Sequence, residues 1–492
     1  MSHSSETAAN RLKPWKHLHP PPAKTPKFKN ALLLISAFTV LYLLYFSAAL
    51  RSGCPAAAAA DVNGGGGGRT DLSHIVFAIG GSAGTWARRR HYCELWWRPN
   101  ATRGHVWLDE TPAAADGPWP ETSPPYRVSA DSTRFHYTNP YGSRSAVRIA
   151  RILKESFEEL GHEKRDAVRW FVMGDDDTVF FPENLVAVLN KYDHREMYYV
   201  GGNSESVEQD LVHLYATGYG GGGFAVSRPL AEALVGVLDG CIDRYADAYG
   251  SDLKIGSCIN EIGVPITKEL GFHQMDIRGS PYGLLSAHPI APLVSLHHLD
   301  YIHPVFPGQS RVESIKTLMQ AYNSDPSRTL QHTFCYDPTR NWSISVSWGY
   351  NVQLYPFLVN AKDLSTPLQT FLTWGTWSEE PFTFNTRAMS LEPCERPIVF
   401  FYDRVQKLAN GTLTTYKTMD SLKQRTHCDN RNYARGYAVK GFNVFAERLN
   451  PTIWNKAPRR QCCEIMGGSG QRDGVVQVRI RACNQGESVT PP

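Results

Sequence analysis

The chain has 492 residues, 20% charged and 42% hydrophobic, with a formal net charge of +4. That length allows about two to four domains around a large core, and the composition excludes a disordered or collagen-like chain. The charge is too mild for a nucleic-acid partner, while 12 Trp, 23 Tyr and 21 Phe suit a sugar-holding enzyme as well as an aromatic core.

A basic segment comes first, with Arg11, Lys13, Lys16, Lys24, Lys27 and Lys29 against Glu6 alone. Ala31 to Leu50 carries no charge, and as a helix it would span ~30 Å, one hydrocarbon core. A cleaved signal peptide has a shorter apolar region nearer the start. The positive-inside rule keeps the basic tail cytosolic, so the expectation is a signal-anchor helix with the rest of the chain beyond the membrane. All ten cysteines follow the span, an even number that permits a full disulfide set in an oxidising compartment. Asn100, Asn341 and Asn410 head glycosylation sequons, whereas proline after Asn450 excludes another.

The Ala- and Gly-rich stretch before residue 72 cannot pack a core and reads as a flexible stem. His74 to Gly80 is a short apolar run ending in Gly80-Gly81, a buried strand followed by a tight turn. Trp86 to Trp97 has helical character and carries Arg88, Arg89 and Arg90. Gly104 to Asp109 reads as a second strand, and 111–125 as a Pro/Ala/Gly loop. Ser143 to Leu160 is a helix, because Ala146, Ile149, Ala150, Leu153 and Phe157 fall on one face. Arg144, Arg148 and Arg151 share another face, which reads as solvated at Arg148 and Arg151.

Val168 to Met173 is a strand that runs into Gly174-Asp175-Asp176-Asp177. A helix at Asn184–Lys191 and a strand at Met197–Val200 follow. Strands alternating with helices predict an α/β domain with a mainly parallel sheet, whose ligands bind at the carboxyl ends of the strands, where the aspartates lie. After about residue 330, Trp342, Ile344, Val346, Trp348, Tyr350, Val352 and Leu354 alternate with mostly small or polar residues. Further strands at Pro397–Tyr402, Tyr437–Phe445 and Val475–Arg481 give a second, β-rich domain. The expected division is a cytosolic tail at 1–30, the membrane helix at 31–50, the stem at 51–72, an α/β domain at 73–338 and the β-rich domain at 339–492.

Three adjacent carboxylates repel one another unless a cation sits among them. In extended backbone Asp175 and Asp177 point to one side and Asp176 to the other. Their hard oxygens suit Mg²⁺ or Mn²⁺, which can also bind a substrate diphosphate and neutralise charge on a departing nucleotide. The plainer alternative is a solvated turn or a structural Ca²⁺ site. Gly220 to Gly223, with Gly222 and Gly223 at its end, permits close approach to a bound ligand or is merely a flexible turn. Asp252 opens a helix with Ile255, Cys258, Ile259 and Ile262 as its apolar stripe. It either caps the helix dipole or serves as general base for a sugar-accepting hydroxyl.

These pieces, in order, resemble the fringe-like branch of glycosyltransferase family 31, particularly plant fringe-related proteins. The resemblance runs from His74 to about Pro338. It rests on Ser143-Arg144-Ser145, Trp170-Phe171 leading to Asp175-Asp176-Asp177, Gly220–Phe224, Asp252, Phe272-His273, and Asp325-Pro326-Ser327-Arg328 before Cys335. It implies a GT-A (Rossmann-like nucleotide-diphospho-sugar transferase) fold in a type II Golgi membrane protein. It also implies inverting transfer from a UDP-sugar to a glycan or glycoprotein acceptor, usually in β1,3 linkage. Asp177 would be the metal ligand, Asp175 and Asp176 would hold nucleotide and sugar, Asp252 would be the base, and Arg144 would approach the nucleotide. Animal fringes have Phe-His-x-His, whose second His can ligate the metal; here Phe272-His273-Gln274-Met275 puts a thioether there, a poor Mn²⁺ ligand. Either His273 takes over, or His297 or His298 does.

The reading is therefore a metal-dependent, inverting UDP-sugar glycosyltransferase of the Golgi membrane. Two rivals remain open: a non-catalytic glycan-binding membrane protein on a transferase-like fold, and a glycoside hydrolase using Asp177 and Asp252 as its carboxylate pair.

Overall fold

The computed structural model describes Tyr42 and residues 68–114, 117–161, 167–374, 384–419, 428, 430–466 and 474–490. Residues 69–492 form one compact unit.

Among the described residues, eleven strands and eight helices build its first part. The strands are β1 (Ile75–Gly80), β2 (Arg103–Leu108), β3 (Tyr126–Val128), β4 (Trp170–Asp175), β5 (Val179–Phe180), β6 (Tyr199–Gly201), β7 (Phe224–Ser227), β8 (Ile266–Lys268), β9 (Phe272–His273), β10 (Ile277–Gly279) and β11 (Ser295–Leu296). The helices are α1 (Ala83–Glu94), α2 (Ser145–Glu159), α3 (Pro182–Leu189), α4 (Val207–Val212), α5 (Arg228–Arg244), α6 (Ser251–Ile262), α7 (Tyr282–Ser286) and α8 (Arg311–Tyr322). Seven strands form a sheet in the order β3-β2-β1-β4-β7-β6-β8. Its left half, β3 to β4, is parallel, and every residue of β1 is buried, as a continuous apolar run between two layers requires.

α2, α5 and α6 cover one face of this sheet. Val147, Ala150, Leu153 and Phe157 of α2 pack there with Leu230, Leu234 and Leu238 of α5 and Ile255 and Ile259 of α6. Fully burying a side chain of this size contributes about 1.5–3 kcal/mol. A disulfide between Cys241 and Cys258 ties α5 to α6.

The second part has β12 (His332–Asp337), β13 (Trp342–Ser347), β14 (Asn351–Tyr355), β15 (Leu368–Gln369), β16 (Phe371–Thr373), β17 (Arg387–Ala388), β18 (Ile398–Leu408), β19 (Gly411–Lys417), β20 (Gly441–Glu447), β21 (Cys462–Ile465) and β22 (Val475–Arg481). Eight of these form one sheet in the order β12-β13-β14-β18-β19-β20-β22-β21. One apolar cluster runs without interruption from Ile75 and Phe77 of β1 to Val478 and Ile480 of β22. Three more disulfides, Cys335–Cys463, Cys394–Cys428 and Cys462–Cys483, tie this part together, while Cys93 is a buried free thiol. Cys54 lies outside the described residues. The sequon residues Asn100, Asn341 and Asn410 are all exposed in turns.

Several expectations are corrected. Among the described residues, no helix is long and apolar enough to cross a membrane. The membrane helix expected at 31–50 lies outside the described residues apart from Tyr42, so that helix, the single-pass type II topology and the Golgi membrane placement are not carried forward. The sheet is mixed rather than mainly parallel, because β7 runs antiparallel to both β4 and β6. Arg148 and Arg151 are not solvated. Arg148 donates to the carbonyls of Gly81 and Trp107 at 2.7 and 3.0 Å, and Arg151 pairs with Asp239 of α5 and Glu155 at 3.0 and 3.2 Å. The arginine face of α2 thus meets the carboxyl ends of β1 and β2 and the flank of α5.

Candidate active site

β4 ends on Asp175 at the carboxyl edge of the sheet, and a tight turn carries Asp176 and Asp177 to Thr178. Thr178 closes the turn: its N–H donates to the Asp175 carbonyl, and its hydroxyl accepts the Asp175 N–H at 2.8 Å. The same hydroxyl donates to the Gly221 carbonyl at 2.7 Å, so the aspartate turn is pinned to the glycine-rich segment.

Asp176 faces α1, where Arg89 Nη1 meets it at 3.0 Å and the Thr85 hydroxyl donates to it at 3.2 Å. Asp175 and Asp177 face His297, whose Nε2 lies 3.7 Å from Asp175 Oδ2 and 3.2 Å from Asp177 Oδ1. Arg89 also approaches Asp177 at 3.4 Å and Asp300 at 3.4 Å, and Asp300 accepts the Tyr92 hydroxyl proton at 2.7 Å.

Of the three histidines open from sequence, His297 is the one at the aspartates. Strand register decides this. β11 pairs antiparallel with β5, Leu296 opposite Val179, so the next residue falls beside the aspartate turn. His273 instead gives its Nδ1 to Glu205 at 2.9 Å, and His298 stands 3.2 Å from Asp276. Met275 is fully buried in the core, and its N–H donates to Glu205. That position is a packing position here, which accounts for the departure from Phe-His-x-His.

The electrostatics are those of a crowded anionic cluster. Burial and the carboxylates of Asp177 and Asp176 push Asp175 up to about 7, against the pull of His297. Burial and Asp177 likewise push Asp176 up to about 6, against Arg89. Burial also works against the charge on Asp177, but His297 and Arg89 overcome it and hold that carboxyl well below the usual range. Asp177 in turn raises His297 to about 9, against the burial that opposes its charge.

Asp175, Asp177 and His297 present one ligand atom each within 4.8 Å of one another. Asp177 is 1% exposed, and neither of its carboxylate oxygens accepts a hydrogen bond of good geometry. His297 Nδ1 lies 3.1 Å from the Gln274 carbonyl. A carbonyl can only accept, so Nδ1 carries the proton and Nε2 is the atom offered to the aspartates, the usual second contact of a metal-bound histidine. Two carboxylates and one imidazole fit a divalent cation, with bound metal taking the place of the Nε2 proton. The other cysteine–carboxylate grouping among the described residues, Cys462, Cys483 and Glu487, is a disulfide beside a carboxylate and offers no thiolate.

The glycine-rich segment is built around these groups. A Cβ on Gly221 would lie 2.1 Å from His297 Cε1. Gly223 has φ +83 and faces the Phe180 ring. Gly222 donates its N–H to Gln274 Oε1 at 2.6 Å. Half-buried Asp252 stands in the first turn of α6, where its two oxygens accept the N–H groups of Gly220 at 3.2 Å and Leu253 at 2.8 Å. Arg144 gives its guanidinium to the carbonyls of Ser132, Thr133 and Phe135, anchoring the loop before α2. Arg89, Gln274 and Asp300 were not singled out from sequence. Arg89 was visible only as one of three arginines, and no local pattern marks the one whose helical phase faces β4.

The family described as "Protein of unknown function, DUF604" matches residues 209–463, more than half of the chain. A β-1,3-glucosyltransferase of Mus musculus is 32% identical over 151 residues, 31% of this chain and 29% of that protein. The β-1,3-glucosyltransferase of Homo sapiens is 30% identical over 152 residues, 30% of this chain and 28% of that protein. The chain thus spans less than a third of the length of these relatives.

Proposed function

The chain belongs to the DUF604 family, and from that premise we propose that it is a glycosyltransferase of the fringe-like kind, acting on a UDP-sugar with inversion. The reading rests on one observation above all: the buried carboxylate of Asp177, with no hydrogen bond of good geometry to either oxygen, faces His297 and Asp175 at the carboxyl end of β4. The relatives named as β-1,3-glucosyltransferases support a β1,3 linkage and make UDP-glucose the first donor to try. The acceptor would be a hydroxyl of a glycan or glycoprotein.

Asp175, Asp177 and His297 would hold Mn²⁺ or Mg²⁺. When bound, such an ion supplies positive charge to the diphosphate as the sugar leaves. Arg89 balances the third carboxylate, Asp176, from the α1 side, so the cluster keeps its shape. Asp252 would be the base. Two backbone N–H groups fix its carboxylate, and its half-buried position leaves lone pairs for an acceptor hydroxyl. As that oxygen attacks the anomeric carbon, its proton passes to Asp252 and the bond to the diphosphate breaks, inverting the centre. Gly222 and Gly223 serve this site by close packing rather than by open space: a Cβ would lie 3.0 Å from the Gln274 nitrogen at Gly222 and 2.8 Å from the Phe180 ring at Gly223.

The test is calorimetric binding of UDP to the purified chain with and without Mn²⁺, beside Asp177→Asn. Mn²⁺-dependent binding lost in the variant is the expected result. A well-folded wild type that binds UDP in neither condition would overturn the reading.

A further inference from the structure

The second part of the chain reaches back to the aspartate site through one short strand. β16 pairs antiparallel with β10, Thr373 opposite Ile277, and the chain then delivers Trp374, whose N–H donates to the Asp276 carbonyl at 3.1 Å. The Trp374 ring lies flat on the His298 imidazole, 4.3 Å between centroids at 4°. Tyr301 meets Trp374 edge-on at 4.1 Å.

His298 needs such a clamp. Its backbone is left-handed, φ +53, which is costly for a residue with a Cβ. That turn sends two neighbouring imidazoles to different partners: His297 to Asp177, and His298 to Asp276, itself held by the Ser204 hydroxyl at 2.6 Å. The two imidazole centroids are only 3.9 Å apart, so a shift of one ring moves the other.

We propose that Trp374 is a positioning residue for the cation site: stacked on His298, it holds the strained turn that aims His297 Nε2 at Asp177. The inference rests on the cation-dependent reading above and deepens it, because it gives a residue beyond 339 a part in a site otherwise built from the first part of the chain. Trp374 itself contributes no ligand atom.

The experiment titrates Mn²⁺ into the full chain and counts free Mn²⁺ by electron paramagnetic resonance, for wild type, Trp374→Ala, Trp374→Leu and Trp374→Phe. Residues that orient metal ligands change affinity about 10–100-fold. The expected result is at least about tenfold weaker binding in the Ala and Leu variants, with most of the affinity restored by Phe, which keeps a flat ring on His298. Thermal unfolding of each variant establishes that it is folded. Folded Ala or Leu variants that bind Mn²⁺ as tightly as wild type would overturn the proposal. If both lose cooperative unfolding while Phe keeps it, Trp374 serves the fold alone, and the proposal is likewise overturned. A wild type that binds no Mn²⁺ removes the cation reading and this inference with it, an outcome distinct from the others because it precedes any variant.

Discussion

The imidazole of His297 is wedged between Asp177 and the backbone of Gly221: Nε2 lies 3.2 Å from the carboxylate, and a Cβ on Gly221 would come within 2.1 Å of Cε1. The glycine is therefore needed for what lies against it. Gly221→Ala must push the ring off Asp177, and we expect Mn²⁺-dependent UDP binding to weaken about tenfold or more, read by calorimetry. Gly236→Ala, on α5 with nothing within 4 Å of the added methyl, is the control and should leave binding unchanged.

A cation that binds only the folded chain stabilises it by mass action, about 2.7 kcal/mol at a hundred times its dissociation constant. Thermal unfolding with Mn²⁺ and again with excess chelator should show that gain and its removal. Asp177→Asn should melt at the same temperature in both. An equal Mn²⁺ response in the variant would place the ion elsewhere.

Much of this site's position was legible in the sequence, and the rest depended on long-range register. The apolar run into Asp175 predicts a strand that delivers its carboxylates to the sheet edge, and β4 does so. Asp252 falls at the start of a helix because the apolar stripe after it has a helical period. The choice among His273, His297 and His298 had no local signal, since it follows from pairing β11 with β5 across more than a hundred residues of chain. Arg89 and Trp374 were hidden for the same reason. Arg144, just before α2, and Arg148, one turn on, look alike in the sequence, yet one anchors a loop and the other reaches the carbonyls at the ends of β1 and β2. The mixed sheet was also out of reach, because an apolar strand such as Phe224–Ser227 reads alike whether its neighbours run with it or against it.

Acid should destabilise the chain through two buried histidines. Burial pushes His332 and His288 well below the usual histidine range; Arg460 and Arg387 add to this at His332, and His273 at His288. The folded state therefore binds fewer protons than the unfolded one, so stability is complete above the unfolded pKa of about 6.5 and falls as pH drops below it. Each group contributes up to about 1.4 kcal/mol per pH unit. Asp175 and Asp176, raised to about 7 and about 6, act in the opposite sense over the same range, so the histidine contribution is read as a difference. In urea unfolding between pH 7 and 5, wild type should lose stability relative to His332→Gln as the pH falls. A variant with the wild-type slope would mean that His332 does not carry the effect.

The Asp325-Pro326-Ser327-Arg328 segment, one of the pieces behind the family resemblance, has a structural task. Arg328 is 1% exposed, pairs with Asp325 at 3.3 Å, and donates to Gln461 and to the Glu447 carbonyl at the end of β20. Asp325 also accepts the Leu449 N–H at 3.0 Å. The pair thus joins the segment before β12 to the far strands of the eight-stranded sheet. Arg328→Ala strands a buried carboxylate and a carbonyl together, and removing one partner of such a pair costs about 3–5 kcal/mol. Asp325→Asn with Arg328→Met keeps an acceptor for Leu449 and leaves no buried charge, so the double variant should lose less than Arg328→Ala alone. Urea denaturation of the three proteins decides between them. An Arg328→Ala protein within about 1 kcal/mol of wild type would show that water reaches the pair and that the join is made elsewhere.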